Sequence, residues 1–272
     1  MMRWLEREGV ELWLDDTGAG EPAFVFVHGF AADHTHFEPQ VEYFGARHRV
    51  VSVDLRGHGR SAAPNQEYTM EGYADDVAFV CTSLGLRNPV LVGHSMGGVV
   101  VALTGQRHPG LAGGLCIIDS AIVPRAELVG ALVGWADVMR GPNFRDALRG
   151  VSEPFFGELD DEDLKRRIQD GMAAPQHVLI SSAEHLAGFV ERSAAGGDAA
   201  TVGAWMAPAC FIAAQMHMND IDRFQSLCPD LLMGQTVGSG HYVTLGVPDQ
   251  VNAMLERFLR LVLRRAGEST SA

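Results

Sequence analysis

The chain has 272 residues, of which 47% are hydrophobic, and its formal net charge is −13. This length and apolar content suffice for one large α/β domain, or for such a domain with an inserted subdomain. The acidic balance argues against nucleic acid and anionic membrane surfaces as partners, because both attract basic patches.

The sequence also indicates where the protein works. Residues 1–8 lack the apolar core of a signal peptide, and no stretch is apolar for long enough to span a bilayer. The four cysteines are scattered and form no Cys-x-x-Cys pair, so neither a disulfide framework nor a zinc site is indicated. We therefore expect a soluble, cytoplasmic protein without a bound metal.

The predicted elements begin with a hairpin, since Val10, Leu12 and Leu14 alternate with other residues after a turn at 8–9. Short apolar runs follow, and each predicts a strand buried on both faces of a sheet. These runs occupy residues 23–27, 50–53, 90–92, 115–118, 209–214 and 231–236.

Helical periodicity separates several of these runs, at residues 73–84, 96–106 and 250–264. Strands that alternate with helices indicate βαβ units. The sequence therefore predicts an α/β fold whose central sheet is mostly parallel and flanked by helices.

The alternation breaks between residues 121 and 206, where the periodicity is helical and no buried strand is evident. We interpret this segment as a helical cap that covers the carboxyl edge of the sheet. Residues 1–120 and 207–272 then form the core domain.

A candidate nucleophile follows the third of these runs. Residues 93–97 read Gly-His-Ser-Met-Gly and match the G-x-S-x-G pattern. The pattern alone is weak in a chain with 31 glycines, but a predicted strand precedes it and a predicted helix follows it, as the nucleophile elbow requires. Ser95 would then stand at a helix N-terminus, where backbone N–H groups face a developing oxyanion. The alternative, an ordinary turn serine, has little support in this context.

A second element lies upstream, where residues 28–30 read His-Gly-Phe directly after a predicted strand. In this geometry the backbone N–H of Phe30 can point at the reacting carbonyl oxygen. Phe30 and Met96 are therefore the predicted oxyanion-hole donors. His28 is predicted to be a structural hydrogen-bonding residue.

These segments carry a resemblance to a known family. Besides His-Gly-Phe and the serine motif, the chain reads Asp-Leu-Arg-Gly-His-Gly-Arg-Ser at 54–61 and Gly-Ser-Gly-His at 238–241. In this order the segments resemble a capped α/β-hydrolase of the esterase, lactonase and C–C hydrolase group. They span nearly the whole chain outside the cap. They are specific for the superfamily and uninformative about the substrate.

The resemblance implies a base in the loop after the last strand, which here is His241. This residue follows a predicted strand and precedes a proline and the final helix, as in the family. It would take the Ser95 proton and return it to the leaving group. The other histidines, including His34, His36, His94 and His217, are expected to have structural or surface roles, and His34 and His36 could line the pocket mouth.

The position of the carboxylate that would orient His241 departs from the common family pattern. Most members carry it after the strand that follows the cap, but His217 occupies that position here. A second family position lies at the end of the strand before the cap, where this chain has Asp119. Asp119 is the predicted acid, since a carboxylate on a rigid strand end suits the task of orienting the imidazole. Asp220 and Asp222 are the alternatives.

The resemblance implies acyl transfer through an acyl-enzyme on Ser95, with a small-molecule ester or lactone as substrate and no cofactor. Trp135, Met139 and Trp205 are candidate pocket residues, and cap core is an equally good interpretation of each. A small-molecule receptor, a cofactor-free oxygenase and a C–C hydrolase are the rival functions. The sequence does not indicate an oligomeric state.

Overall fold

The computed structural model describes residues 1–126, 129–130, 134–215 and 217–269. Its strands are β1 (Met2–Arg7), β2 (Val10–Thr17), β3 (Phe24–Val27), β4 (Val50–Val53), β5 (Val90–His94), β6 (Gly114–Ile118), β7 (Ala209–Ala213) and β8 (Leu232–Gln235). They form one sheet in the order β1-β2-β4-β3-β5-β6-β7-β8. β2 pairs antiparallel with β1 and β4, and the other neighbours pair in parallel. The predicted α/β class with a mostly parallel sheet is confirmed.

The described α-helices are α1 (Glu38–Gly45), α2 (Met70–Ser83), α3 (Met96–Arg107), α4 (Trp135–Met139), α5 (Phe144–Ser152), α6 (Glu162–Gly171), α7 (Gln176–Arg192), α8 (Asp198–Gly203), α9 (Ile221–Leu227), α10 (Val243–Gly246) and α11 (Pro248–Ser269). The sheet is covered on both faces, because its side chains divide between two apolar clusters. One cluster includes α2 and α3, and the other includes α1 and α11. Burial on both faces explains the short continuous apolar runs of β3, β5, β6 and β7.

The predicted N-terminal hairpin is present, with Arg7 opposite Val10 in the β1–β2 register. Glu8 and Gly9 form its turn with φ values of 54° and 75°. Two successive positive φ values are typical of the type I′ turn, whose twist matches that of a hairpin.

Two details of the sheet differ from the expectation. Trp13 lies on the face opposite the predicted apolar stripe, yet it is buried, because the imidazole ring of His34 and the guanidinium of Arg60 cover it. β8 is not buried on both faces. Leu232 is exposed, because β8 is the last strand of the sheet and has a neighbour on one side only.

Between β6 and β7 the described residues form helices α4 to α8 and contribute no strand to the sheet. The helical content therefore agrees with the predicted cap, while the boundaries at residues 121 and 206 stay predictions. Five residues of this cap, at 127–128 and 131–133, and residues 216 and 270–272 of the predicted core lie outside the described residues. Within the described ranges, no helix combines the length and apolar content needed to cross a membrane.

Candidate active site

Ser95 lies between β5 and α3, at the carboxyl edge of the sheet. Its backbone has φ 55° and ψ −123°, a strained conformation for a residue other than glycine. The flanking glycines are required by close packing. A Cβ on Gly93 would lie 2.1 Å from the carbonyl oxygen of Gly97, and a Cβ on Gly97 would lie 2.1 Å from that of Val27. The turn thus fixes Ser95 at the N-terminus of α3.

His241 and Asp119 form a buried pair. His241 follows β8, and its Nδ1 donates a hydrogen bond of 2.6 Å to Asp119 Oδ2. Asp119 directly follows β6, and its other oxygen accepts a hydrogen bond of 3.0 Å from the backbone N–H of Ala214. Because a carboxylate only accepts, the imidazole proton is on Nδ1, and Nε2 is the nitrogen that can receive another. His241 and Ser95 both line the cavity at this edge.

The alternative acids are placed elsewhere. Asp220 caps helix α9, where its Oδ1 accepts a hydrogen bond of 3.0 Å from the backbone N–H of Arg223. Asp222 is exposed on the same helix. Among the three carboxylates weighed from the sequence, Asp119 is therefore the one that the fold brings to His241.

The two predicted oxyanion donors both lie near the serine. Met96 is the first residue of α3, whose first N–H groups have no partner within the helix. Phe30 belongs to the loop after β3, in which a Cβ on Gly29 would lie 3.0 Å from Ser95 Cβ. No described residue accepts a hydrogen bond from the backbone N–H of either Phe30 or Met96. Both groups are thus available to a ligand.

His28 braces the loop that carries Phe30. Its Nδ1 donates to the Gly29 carbonyl at 2.8 Å, and its Nε2 accepts from the Leu55 N–H at 3.0 Å. Burial lowers the pKa of His28 and outweighs the attraction of the nearby Asp54 carboxylate. The ring is therefore a neutral link between two backbone segments, in agreement with the structural role predicted for it.

Asp33, His34 and Asp54 form the one group of potential metal ligands found among the described residues, with ligand atoms within 4.8 Å of one another. The carboxylate of Asp54 already has hydrogen-bond donors. His34 approaches Asp54 Oδ1 through its backbone N–H at 2.7 Å and its Nδ1 at 2.8 Å, and the Arg60 N–H donates to Oδ2 at 2.8 Å. Burial lowers the pKa of His34, but the hydrogen bond to Asp54 and its charge prevail and raise it. This geometry is that of an ion pair bracing the loop.

His94 connects the nucleophile turn to the base. Its Nε2 donates a hydrogen bond of 2.8 Å to the carbonyl oxygen of His241, and the two rings lie 4.6 Å apart. Its Nδ1 is buried and has no partner among the described residues. Burial holds the pKa of His94 well below its usual value, and the neighbouring His241 acts in the same direction. His94 is thus a neutral donor to the backbone of the base.

Three cavities surround these groups. Two small ones, of about 40 and 20 Å³, are lined by both Ser95 and His241. A third, of about 770 Å³, is lined by His241 and cap residues but not by Ser95. We call the two small spaces the inner cavities and the large one the outer cavity.

Of the three predicted pocket residues, one lines the cavities and two do not. Trp135 lines all three cavities. Met139 lines none of them, since it is fully buried in the apolar cluster of the cap and α2–α3. Trp205 is also absent from them, because its indole N–H donates to the Ala102 carbonyl of α3 at 3.0 Å and its ring packs beside Phe224. Met139 and Trp205 thus pack in the cap and core, which favours the cap-core interpretation of both, and a substrate contact by either stays a prediction that these cavities do not support.

Sequence reasoning missed several residues that line the site, among them Phe155 and Tyr242 beside the base. Phe155 borders all three cavities, with its ring centroid 5.0 Å from that of His241. Its backbone carbonyl accepts a 2.7 Å hydrogen bond from the His241 N–H. Tyr242 lines the larger inner cavity. In the sequence, the aromatic pair at 155–156 could have indicated Phe155. The position of Tyr242 directly after the predicted base could have indicated Tyr242. His36, expected at the pocket mouth, is buried beside Ser95 in that inner cavity.

The chain matches the family model described as alpha/beta hydrolase fold over residues 22–157. Among curated relatives, the AB hydrolase superfamily protein YisY of Bacillus subtilis is 39% identical over 118 residues, which are 43% of this chain and 44% of that protein. The bifunctional esterase/perhydrolase of Acinetobacter calcoaceticus is 37% identical over 120 residues, with coverages of 43% and 44%. The matched regions thus span less than half of these curated relatives.

Solved structures resemble the chain over nearly its full length. An esterase from Exiguobacterium antarcticum gives a TM-score of 0.83 at 20% identity and covers 96% of this chain and 100% of that one. A thermophilic esterase from Thermogutta terrifontis gives 0.82 at 24% identity, with coverages of 96% and 99%. At these identities the likeness concerns the fold. Together with the family match, it identifies the chain as a member of the alpha/beta hydrolase family.

Proposed function

We propose that the protein is a serine hydrolase that cleaves a carboxylic ester or lactone through an acyl-enzyme. The observation that carries this proposal is that Ser95 and His241 line the same two inner cavities, with Asp119 hydrogen-bonded to His241 behind them. Phe30 lines one of these cavities and Met96 the other, and the backbone N–H of each has no acceptor among the described residues. These are the parts that acyl transfer requires: a nucleophile, an oriented base and donors for an oxyanion.

In the first half of the reaction, Ser95 Oγ attacks the carbonyl carbon while His241 Nε2 takes the hydroxyl proton. The carbonyl oxygen becomes an oxyanion and accepts hydrogen bonds from Phe30 and Met96. Asp119 stabilises the imidazolium that has formed. The bond to the leaving oxygen then breaks, and His241 returns its proton to that oxygen.

In the second half, water attacks the ester of Ser95 and gives a proton to His241. The tetrahedral intermediate collapses, the carboxylic acid leaves, and the proton returns to Ser95. For a lactone, the alcohol and the acid are parts of one product. The cycle balances without a redox step, so it calls for no cofactor.

Two lines support an ester or lactone as substrate. Relatives and structural neighbours include proteins named as esterases and an enol-lactonase. The cavity walls are largely aromatic and aliphatic, which favours an uncharged substrate with an apolar part.

The test is turnover of a panel of esters, lactones and amides by the wild type and by Ser95→Ala. We expect ester or lactone hydrolysis that falls at least about 10³-fold in the variant. A fluorophosphonate should add one adduct to the wild type and none to Ser95→Ala, as measured by intact mass. Turnover that survives in Ser95→Ala would overturn the proposal, as would the absence of both turnover and labelling in the wild type.

A further inference from the structure

The cavities are separated in a way that bears on substrate shape. Trp135, Phe155 and His241 line all three of them, whereas Ser95 lines the inner cavities alone. The residues common to all three therefore form a partition. On one side of it lies the nucleophile, and on the other lies the outer cavity.

The partition is built from aromatic rings in contact. The centroids of Trp135 and Phe155 are 5.8 Å apart with an interplanar angle of 89°, the edge-to-face arrangement that aromatic pairs favour. Phe30 continues the wall at 5.7 Å from Trp135, and His241 at 5.0 Å from Phe155. Trp135 and Phe155 are both half-buried and line the cavities, so part of each residue is accessible to a ligand.

The inner cavities have little room. One water occupies about 10–15 Å³ of such a space. The larger inner cavity, at about 40 Å³, thus holds about three waters, and the smaller one, at about 20 Å³, holds one. A substituent of about two to four non-hydrogen atoms fills such a space. The outer cavity, at about 770 Å³, takes a medium-sized organic group.

The chemistry of acyl transfer indicates which part of the substrate lies on each side of the partition. The acyl carbon becomes bonded to Ser95, so the acyl substituent lies where Ser95 is exposed, in the inner cavities. The leaving oxygen must receive its proton from His241. His241 faces the outer cavity as well, which places the leaving group there.

The wall of the outer cavity suits an amphipathic leaving group. Phe156 and Met218 supply apolar surface, while Arg125, Gln215 and His217 supply polar groups. His217 lines this wall, although its Nδ1 is buried behind the surface and has no hydrogen-bond partner among the described residues.

We infer that the substrates are esters of a short acyl group with a larger, amphipathic leaving group, and that Trp135 and Phe155 determine this selectivity by limiting the acyl chain. The inference rests on the proposed serine hydrolase function. It adds the substrate class and two specificity-determining residues to it.

The experiment uses one bulky leaving group, 4-methylumbelliferone, esterified with acetate, butyrate or octanoate. For the wild type we expect kcat/KM to fall at least about 100-fold from acetate to octanoate, because several methylenes exceed the inner space. Phe155→Ala and Trp135→Ala should reduce that ratio at least about 10-fold, mainly by improving octanoate. Phe156→Ala is the matched control, since Phe156 lines the outer cavity alone, and it should leave the ratio unchanged.

The outcomes separate this inference from the proposed function. If the wild type hydrolyses the octanoate ester with the same kcat/KM as the acetate ester, and Ser95 is required for both, the serine hydrolase function is supported and the inferred limit on acyl length is wrong. The same holds if Phe155→Ala and Phe156→Ala change the ratio equally. Phe155→Leu and Trp135→Phe replace any alanine variant that fails to fold, and each should shift the ratio in the same direction. Absence of Ser95-dependent turnover of every ester would instead overturn the proposed function.

Discussion

The imidazole of His94 holds the backbone of His241, through the 2.8 Å hydrogen bond from Nε2 to the His241 carbonyl oxygen. His94 precedes the nucleophile in the chain, so one residue links the serine turn to the base loop. The link has a cost, because the buried Nδ1 has no partner among the described residues. An unsatisfied buried polar atom typically costs about 1–3 kcal/mol. A side chain kept at that cost points to a role in positioning the base.

The first prediction compares His94→Leu with His94→Gln. Leucine removes the donor to His241, and kcat should fall about 10- to 100-fold with KM changed little, as expected when a catalytic group is misplaced. Glutamine carries an amide N–H near the position of Nε2, and it should restore activity to within about 3-fold of the wild type. Steady-state kinetics on the best ester from the panel provide the measurement.

Thermal unfolding separates positioning from a general structural role. Leucine removes the unsatisfied Nδ1 but leaves the His241 carbonyl without its donor, and these two effects are of similar size and opposite sign, so His94→Leu should melt close to the wild-type temperature while being less active. A low-field proton NMR signal from the His241 Nδ1–H, bonded to Asp119, should shift in His94→Leu and be retained in His94→Gln. Loss of activity together with a matching loss of stability would contradict a positioning role, as would full activity in His94→Leu.

The second prediction concerns the acid. Asp119→Asn leaves the shape of the buried pair nearly unchanged but removes the charge that holds the Nδ1–H tautomer and stabilises the imidazolium. We expect kcat to fall about 10³- to 10⁴-fold. The matched control is Asp220→Asn, which keeps a good helix cap on α9 and should leave kcat within about 2-fold. A large loss in Asp220→Asn with near-normal turnover in Asp119→Asn would reverse the assignment.

The local parts of the site could be predicted from the sequence because their geometry is encoded within a few residues. A strand, two glycines and a helix are enough to place Ser95, and the chain order of short motifs leads to His241. Asp119 could be predicted as well, because it directly follows a predicted buried strand. Parallel strands bring such positions to one edge of the sheet.

The pocket could not be predicted in the same way, because cap residues reach the site through contacts distant in sequence. Trp135 and Trp205 look alike as aromatic residues near the two ends of the cap. One faces the cavities, and the other bonds to the Ala102 carbonyl of α3. Likewise, the hydrogen bond from His94 to His241 joins residues 147 positions apart. Helical periodicity identifies the buried face of a helix but not the element that covers it.

The third prediction tests the tight packing of the nucleophile turn. A Cβ on Gly97 would meet the backbone oxygen of Val27 at 2.1 Å, and both backbones are held in place, Val27 by its pairing in the sheet and Gly97 by the first turn of α3. Gly97→Ala should therefore lower the free energy of unfolding by at least about 3 kcal/mol. Gly150 on α5 has open space around its Cβ position, so Gly150→Ala should raise it by about 0.5–1 kcal/mol. Urea unfolding measures both, and equal effects would contradict the packing argument.

The fourth prediction concerns acid stability and follows from the buried histidines. Burial lowers the pKa of His36 to about 4 and that of His58 to about 3, and it also lowers the pKa values of His28 and His94. An unfolded chain protonates histidine below pH of about 6.5. Unfolding therefore takes up protons between about pH 6.5 and pH 4, and stability must fall as the pH falls through this window.

His36 and His58 alone give an uptake of about two protons at pH 5.5, or about 3 kcal/mol per pH unit. His34 opposes this slope only around and above pH 6.5, because its pKa is raised and the folded state binds the proton first; at pH 5.5 it is protonated in both states. The lowered pKa of Asp54 matters only near and below its ordinary value of 3.8. Urea unfolding at pH 7.0, 6.0 and 5.5 measures the slope. His58→Asn keeps a donor for the Arg56 carbonyl and removes one titrating group, so it should reduce the uptake by about one proton. An unchanged slope in that variant would show that His58 does not titrate as a buried neutral group.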